Sequence, residues 1–429
     1  MIASDDVPND TSRLRVLMSA YACEPHRGSE QGQAWEAVRA IARLHDLTVV
    51  TRSMYAAPIA AEVDRVGGDL SRVRFEFLDV DVLPEAWLDR RGWGENLVYL
   101  AWQGRLRSWL RDRTTTFDLA HHVSFVRYWM APGIAGFDSL PIVFGPVGGA
   151  DSSPPALLRS LSPRGRRAER LRDAVRAVFT AAPALRRAMA GPGVYLATSP
   201  ATADALRRLG AADVRLAPDV NVPADSLPPP PAGPPPGPPV VIGAGRMIEW
   251  KAYHLALQAW ARAGIPGTLE LYGDGPSRER LQWLAVELGV ADRVHLPGRV
   301  PRSELFAALG RAHAFVHPSL HDSGGFAIVE ALQHGVPVVC WDHAGPGQMI
   351  DGSCGAVVTV DPYDLDRSVD AMAEAFRRLV LDEAAWRSAS TGAHERVATL
   401  LNTAAHAERL DAAYRAAVAD LRSRRTADA

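Results

Sequence analysis

The segment 321–332, HDSGGFAIVEAL, combines residue types that suit an anionic ligand rich in hydroxyl groups. Asp322 and the Gly324–Gly325 pair precede an apolar run typical of a helix, and Glu330 is the one carboxylate within that run. Glycines at the start of a helix expose backbone N–H groups to an anion. A carboxylate on an apolar helix face is costly without a partner. We therefore expect Glu330 to accept hydrogen bonds from ligand hydroxyls such as those of a ribose.

Two basic residues, Arg246 and Lys251, follow the apolar run 240–244 and supply positive charge for such an anion. Lys251 is the only lysine among 47 basic residues. An ammonium is a compact point charge that a guanidinium does not replace, although chance survival of one surface lysine is the alternative. If both cations face the glycine pair, the four groups form a pocket for a diphosphate.

Short apolar runs alternate with helical patterns on both sides of a proline-rich stretch, which predicts two doubly wound α/β domains. In such sheets ligands bind beyond the carboxyl ends of the strands, and the segments 245–251, 273–276 and 319–325 all fall there. The predicted strands are 14–20, 47–51, 73–78, 117–123, 141–144, 194–197, 240–244, 268–273, 294–298, 314–318 and 336–340.

The proline-rich stretch 223–239 cannot join a helix or a central strand and is typical of a semi-rigid linker. We therefore predict an N-terminal domain at 1–222 and a C-terminal domain at 240–405. The remaining residues, 406–429, are expected to form a helix that crosses back to the N-terminal domain. Within the first domain, a loop at 26–32 is predicted to precede a helix that starts at Ala34.

The overall composition argues against a nucleic-acid-binding protein and against a membrane-spanning one. A net charge of −2 gives no general attraction to nucleic acid, and no apolar run is long enough to span a bilayer. The three cysteines lack metal-type spacing, and their odd number favours a reducing compartment. With a polar start, MIASDDVPNDTSR, the sequence predicts a cytoplasmic protein, and its arginine- and alanine-rich composition suggests a bacterial one.

The motifs, taken in order, resemble the retaining glycosyltransferases of family 4 (GT4), which have the GT-B architecture of two Rossmann-like domains facing a central cleft. The resemblance covers about residues 14–360. In the second half it rests on GRMIEWK (245–251), GDGP (273–276) and the acidic pair Asp322 and Glu330, separated by seven residues. In the first half it rests on CEPHRGSEQG (23–32), DLAHH (118–122) and GPVGGA (145–150).

This resemblance implies hexosyl or related transfer from a nucleotide-sugar to a glycan, lipid-linked or small-molecule acceptor, with retention and without a metal or cofactor. Arg246 and Lys251 would bind the donor diphosphate, Glu330 the ribose, and the backbone near Val300 the base. Asp322 stands where the family more often has glutamate, and its shorter reach changes which sugar hydroxyl it meets. The implied catalytic set is Arg246, Lys251, Asp322, His121 and His122; the donor-binding set is Gly273, Asp274, Val300, Gly324, Gly325, Phe326, Ala327 and Glu330; the acceptor-side loop is Gly28, Ser29 and Gly32.

Several of these residues have simpler interpretations. Glu330 could be salt-bridged to an arginine, and Asp322 or Ser323 could cap the helix. His121 and His122 are adjacent, so on a strand only one of them can face the cleft. The GSEQG segment could be a turn with capping residues.

Three further patterns point elsewhere. Asp79-Val-Asp81 spells a metal-binding Asp-x-Asp but falls at a predicted strand end. GAGRMI (243–248) begins like a dinucleotide fingerprint and lacks its last glycine, which disfavours a nicotinamide-dependent oxidoreductase. The tryptophans Trp87, Trp93, Trp102 and Trp109 are interpreted as core, with acceptor stacking as the alternative.

The arginine-rich stretch 159–187 has two interpretations, a solvated basic helix or a peripheral contact with anionic lipid at the inner face of a membrane. The sequence favours the first. For the whole protein, the alternatives to a glycosyltransferase are a sugar-nucleotide epimerase and a non-catalytic scaffold on the same architecture.

Overall fold

A computed structural model describes residues 12–80, 93–223 and 227–427. These residues form two parallel sheets, one with strand order β3-β2-β1-β4-β5-β6-β7 and one with order β10-β9-β8-β11-β12-β13. The strands are β1 (Arg15–Ala20), β2 (Asp46–Thr51), β3 (Arg74–Phe77), β4 (Leu119–Ser124), β5 (Ile142–Val147), β6 (Gly193–Ala197), β7 (Asp213–Leu216), β8 (Val240–Ala244), β9 (Thr268–Tyr272), β10 (Val294–Gly298), β11 (Ala314–His317), β12 (Val338–Trp341) and β13 (Gly355–Val358).

Helices connect the strands, as parallel pairing requires. In the described residues they are α1 (Ser29–Ala42), α2 (Ala56–Val66), α3 (Trp93–Leu110), α4 (Pro155–Arg159), α5 (Pro163–Thr180), α6 (Pro183–Met189), α7 (Pro200–Arg208), α8 (Tyr253–Ala263), α9 (Arg278–Glu287), α10 (Arg302–Leu309), α11 (Phe326–Gln333), α12 (Pro346–Met349), α13 (Leu365–Leu381), α14 (Glu383–Thr399) and α15 (Thr403–Ala427).

The chain divides into two compact units. The smaller unit contains the described residues of 12–125, 132–143 and 410–427, and the larger contains those of 126–131 and 144–409. The boundary falls within β5, and α15 contributes residues to both units.

The second sheet is apolar on both faces, which explains its place in the core. Adjacent residues of β8, Val241 and Ile242, belong to two different apolar clusters, because side chains alternate along a strand. On one side Val241 packs in the cluster that contains Trp260 of α8 and Phe376 of α13. On the other side Ile242 packs in the cluster that contains Ile328 of α11. Helices on both faces leave the carboxyl ends of the strands open to loops.

The predicted α/β fold is confirmed, and every predicted strand is present with its ends shifted by a few residues. Strands β7 and β13 were not predicted. The helix predicted over 406–429 is part of α15, which begins earlier, at Thr403, and follows α13 and α14 with breaks at Asp382 and at 400–402. The predicted loop 26–32 is also wrong in part, because α1 begins at Ser29. No helix in the described part of the chain is both long and apolar enough to cross a bilayer.

Candidate functional site

The loop 318–325, here called the glycine-pair loop, joins β11 to α11 at the carboxyl edge of the second sheet. Gly325 occupies the N-cap position of α11, and no side chain caps the helix. The interpretation of Asp322 or Ser323 as a helix cap is therefore wrong. The backbone N–H groups at the start of α11 therefore have no side-chain cap and can donate hydrogen bonds to an anion.

Lys251 contacts this loop directly. Its Nζ forms an ion pair with Oδ2 of Asp322, which also lies 2.9 Å from Nε2 of His317. The side chains of Lys251 and Asp322 are only 16% and 17% exposed. Burial alone would raise the pKa of Asp322, but Lys251 and His317 outweigh it and lower that pKa to about 2. The ion pair thus holds the Lys251 ammonium next to Asp322, which precedes Gly324 by two residues.

This lowered pKa predicts a pH-dependent effect of Asp322→Asn. The folded pKa lies below the ordinary value of 3.8, so the carboxylate contributes stability above about pH 4 and loses it as pH falls through about 2. We expect the substitution to lower the free energy of unfolding by about 2 kcal/mol at pH 7 and by progressively less below pH 4, as measured by urea unfolding across pH. The exposed Asp292→Asn is the control, and a pH-independent loss would contradict the assignment.

The loop that carries Arg246 and Lys251 is joined to the loop that follows β9. The backbone N of Met247 donates to the carbonyl of Asp274 at 2.9 Å. Gly273 has a φ of +118°, and a Cβ there would lie 2.0 Å from the carbonyl oxygen of Gly245, so only glycine fits. Between these contacts Arg246 is exposed and forms no ion pair with any described residue.

The glycine-pair loop also lies in close contact with three other segments of the chain. The N of Leu320 donates to the carbonyl of Trp250 at 2.9 Å, and a Cβ on Gly148 would lie 2.1 Å from that of Ser323. A Cβ on Gly324 would lie 1.9 Å from Oδ1 of Asp219. Asp219 was not predicted, because its sequence position after β7 gives no signal of this contact.

Two buried polar atoms at the end of β11 have no hydrogen-bond partner in the described structure, Nδ1 of His317 and Oγ of Ser319. Buried polar groups are normally satisfied by protein, water or ligand. His317 could have been found from sequence, since it is the last residue of a strand that leads into the site.

Glu330 lies one turn into α11 and is 8% exposed. Its Oε1 accepts a hydrogen bond from Nε of Arg302 at 2.8 Å, while the Arg302 side chain is 62% exposed. Burial raises the pKa of Glu330 against the opposing effect of Arg302. The alternative that Glu330 is salt-bridged to an arginine is thus observed, and the partner, Arg302, is exposed at the surface. Val300, Phe326 and Ala327 are partly buried against the apolar cluster that includes Ile328.

An unpredicted network joins the glycine-pair loop to α5. Nε2 of His321 lies 3.0 Å from Oε1 of Glu169, and Arg172 forms an ion pair with Glu169 at 3.0 Å. The His321 ring stacks on Trp250 at 4.6 Å between centroids, and Nζ of Lys251 lies 4.9 Å from the centre of the Trp250 ring. A cavity of about 340 Å³ adjoins Glu169, Trp250 and Pro276.

In the smaller unit, His121 and His122 lie on β4 and are fully buried. Nδ1 of His121 is 2.7 Å from the Tyr414 hydroxyl, whereas His122 lies 2.9 Å from Ser19 Oγ and 2.8 Å from the Tyr99 hydroxyl. Burial lowers the pKa of His122 to about 3, so it is neutral at pH 7. Their role beside the transferred sugar stays a prediction.

The predicted acceptor-side residues Gly28, Ser29 and Gly32 form the start of α1, with Gly28 as its N-cap. Of the Asp-x-Asp pattern, Asp79 accepts a hydrogen bond from Ser53 N at 3.0 Å, and Asp81 lies outside the described residues. Among the tryptophans, Trp102 is fully buried, as the core interpretation predicts, and Trp87 lies outside the described residues.

Comparison with known proteins gives a family match for the larger unit. Residues 229–396 match the family described as glycosyl transferases group 1. The lipopolysaccharide core biosynthesis glycosyltransferase LpsE of Rhizobium meliloti (strain 1021) is 34% identical over 159 residues, 37% of this chain and 44% of that protein. The 2-deoxystreptamine glucosyltransferase of Streptomyces kanamyceticus is 32% identical over 127 residues, 29% of this chain and 31% of that protein. The matched segment spans less than half the length of either relative.

Solved structures resemble nearly the whole chain. Sucrose-phosphate synthase from Thermosynechococcus elongatus superposes with a TM-score of 0.61 at 18% identity, covering 94% of this chain and 98% of that one. WaaG, a glycosyltransferase involved in lipopolysaccharide biosynthesis, gives a TM-score of 0.56 at 16% identity, covering 93% and 99%. The chain therefore has the GT-B fold, and its residues 229–396 match the glycosyl transferases group 1 family.

Proposed function

We propose that the protein is a retaining glycosyltransferase that moves a hexosyl or related sugar from a nucleotide-sugar donor to an acceptor hydroxyl. The observation that carries the proposal is the ion pair of Lys251 with Asp322, which fixes the lone ammonium beside the glycine pair at the start of α11. The family match and the names of its relatives support the same class of reaction.

The donor diphosphate is assigned to the space between these groups. The Lys251 ammonium and the Arg246 guanidinium, which forms no ion pair with any described residue, would meet it from one side, and the backbone N–H groups at the start of α11 from the other. Charge builds up on the diphosphate as the sugar leaves, so fixed cations lower the barrier. With the leaving group helping to take the acceptor proton, the transfer needs no protein nucleophile.

Asp322 is assigned to the sugar. Both of its side-chain contacts use Oδ2, and Oδ1 accepts no hydrogen bond from any described residue. A carboxylate oxygen in this position can accept a hydrogen bond from a sugar hydroxyl. Glu330 would take the ribose hydroxyls by displacing the exposed Arg302, and the backbone at Val300 would contact the base.

Metal independence is part of the proposal, because Lys251, Arg246 and backbone N–H groups supply the positive charge that a divalent cation would otherwise supply. The acceptor remains a class, namely a glycan, a lipid-linked glycan or a small molecule. The buried free thiols of Cys23, Cys340 and Cys354 are consistent with the cytoplasmic location that we propose.

The direct test is a thermal-shift panel of nucleoside diphosphates and nucleotide-sugars. A ligand at 100 times its Kd stabilises the native state by about 2.7 kcal/mol, so the matching donor should raise Tm by several degrees. The same donor should then support sugar transfer to acceptor mixtures, at an equal rate with and without EDTA.

Each outcome has a definite meaning. No shift with any nucleotide would contradict the donor site, and loss of transfer on chelation would contradict metal independence. Conversion of the donor sugar to its epimer without an acceptor would favour the epimerase alternative, and binding without turnover on any acceptor would favour a scaffold.

A further inference from the structure

We infer that the outward face of α5 is a docking surface for an anionic lipid bilayer. This face, here called the basic outer face, consists of Arg167, Arg170, Leu171, Ala174 and Val178. At 3.6 residues per turn these five positions fall within an arc of about 100° around the helix axis, so they point in one direction.

Four of the six arginines of α5 form two sets that point in different directions. Arg172 and Arg176 point inward, where Arg172 pairs with Glu169 at 3.0 Å and Arg176 pairs with Asp173 at 3.3 Å. Their side chains are 21% and 11% exposed. Protein carboxylates therefore account for the inward set.

The outward set has no such carboxylate partners among the residues that the structure describes. Arg167 and Arg170 are exposed and form no ion pair within the described part of the chain. The arc between them and Val178 contains no acidic residue. Outward charge on this helix is thus uncompensated.

Apolar side chains are exposed beside this charge. Leu171 is 56% exposed and Val178 is 71% exposed. Water gives these exposed apolar side chains no favourable contact, whereas a bilayer surface accommodates both groups, the apolar ones at the acyl boundary and the guanidinium groups at anionic headgroups. The structure therefore favours the lipid interpretation over the solvated one. Two further exposed arginines, Arg186 and Arg187, follow on α6.

The inward face of the same helix contacts the glycine-pair loop through Glu169 and His321. One helix diameter is about 10 Å, so a bilayer on the outer face would lie about that far from the loop. If the proposed function holds, an acceptor attached to lipid would be presented beside the donor. The docking itself does not depend on that function.

The test is co-sedimentation of the full chain with vesicles of phosphatidylglycerol and phosphatidylcholine in equal parts, compared with phosphatidylcholine alone. We expect binding to the anionic vesicles only, and its loss in 0.5 M salt. One arginine at an anionic surface contributes about a fivefold change in affinity, so Arg167→Ser with Arg170→Ser should weaken binding about 25-fold. Leu171→Ser with Val178→Ser, which keeps the charge, should weaken it at least tenfold.

The matched control is Arg105→Ser with Arg111→Ser, which removes the same charge from two exposed residues of the smaller unit. The control should bind as the unaltered protein does, and all variants should keep its Tm. Equal losses of vesicle binding in the control and in the outer-face variants would show that binding depends only on net charge, which would overturn the proposal. Unchanged binding in both outer-face variants, or no binding to anionic vesicles at low salt, would overturn it as well.

Discussion

Replacing Lys251 by alanine is expected to lower kcat for sugar transfer by a factor of about 100 to 1,000, the range observed when one group that stabilises developing charge is removed. The ammonium is held by Asp322 beside the glycine pair, where it would meet the leaving diphosphate. Steady-state kinetics with the donor identified by thermal shift would measure the loss. Affinity for the nucleoside diphosphate should fall in parallel, as calorimetry would show.

The substitution also leaves Asp322 without its ion-pair partner, so stability must be separated from chemistry. The double variant Lys251→Ala with Asp322→Asn removes that unpaired carboxylate and should fold without restoring transfer. Arg280→Ala removes a positive charge from the nearby helix α9, 3.9 Å from Glu249, and should leave kcat within a factor of about two. Near-normal transfer by Lys251→Ala would remove this residue from the site.

Glu330→Ala is expected to raise the KM for the donor by a factor of about 10 to 100. A hydrogen bond to a charged group contributes about 1.5–3 kcal/mol, and Glu330 is the buried carboxylate one turn into α11. Because ribose is bound equally in the ground state and the transition state, kcat should change little. Glu330→Gln keeps the shape and should have a smaller effect.

The control for this prediction comes from Arg302, the partner of Glu330 in the absence of donor. If that ion pair is only a resting contact, Arg302→Ala should leave the donor KM unchanged or lower it, since Glu330 no longer has to be released. Glu304→Ala removes an exposed carboxylate from the same helix as Arg302 and should have no effect. An unchanged donor KM in Glu330→Ala, with reduced Tm, would assign Glu330 to structure instead.

The residues that the sequence did reveal are those that violate a local rule. Glu330 is a carboxylate in an apolar helix, and the pair Gly324–Gly325 directly precedes that helix. Lys251 is the only lysine in an arginine-rich protein. Alternating apolar runs then gave the parallel sheets and placed these loops at one edge. The unusual residues and the alternating runs are both recognised from residues that are close in sequence, so both could be predicted from the sequence alone.

The partners of these residues could not be predicted, because they come from distant parts of the chain. Glu169 reaches His321 across 152 positions, and Asp219 lies against Gly324 although β7 itself escaped prediction. The exact setting of Lys251 was also out of reach. It lies in a short turn, Glu249–Lys251, which ends at Ala252 with a φ of +51° directly before α8.

The single lysine has a consequence for covalent labelling. Any reagent directed at side-chain amines has one target in the folded chain, the ammonium paired with Asp322. Acylation or reductive methylation would therefore report occupancy of this position without engineering, through protection by whatever binds there. A lysine-specific protease has one peptide bond to cut, between Lys251 and Ala252, and its action would measure how often this turn opens.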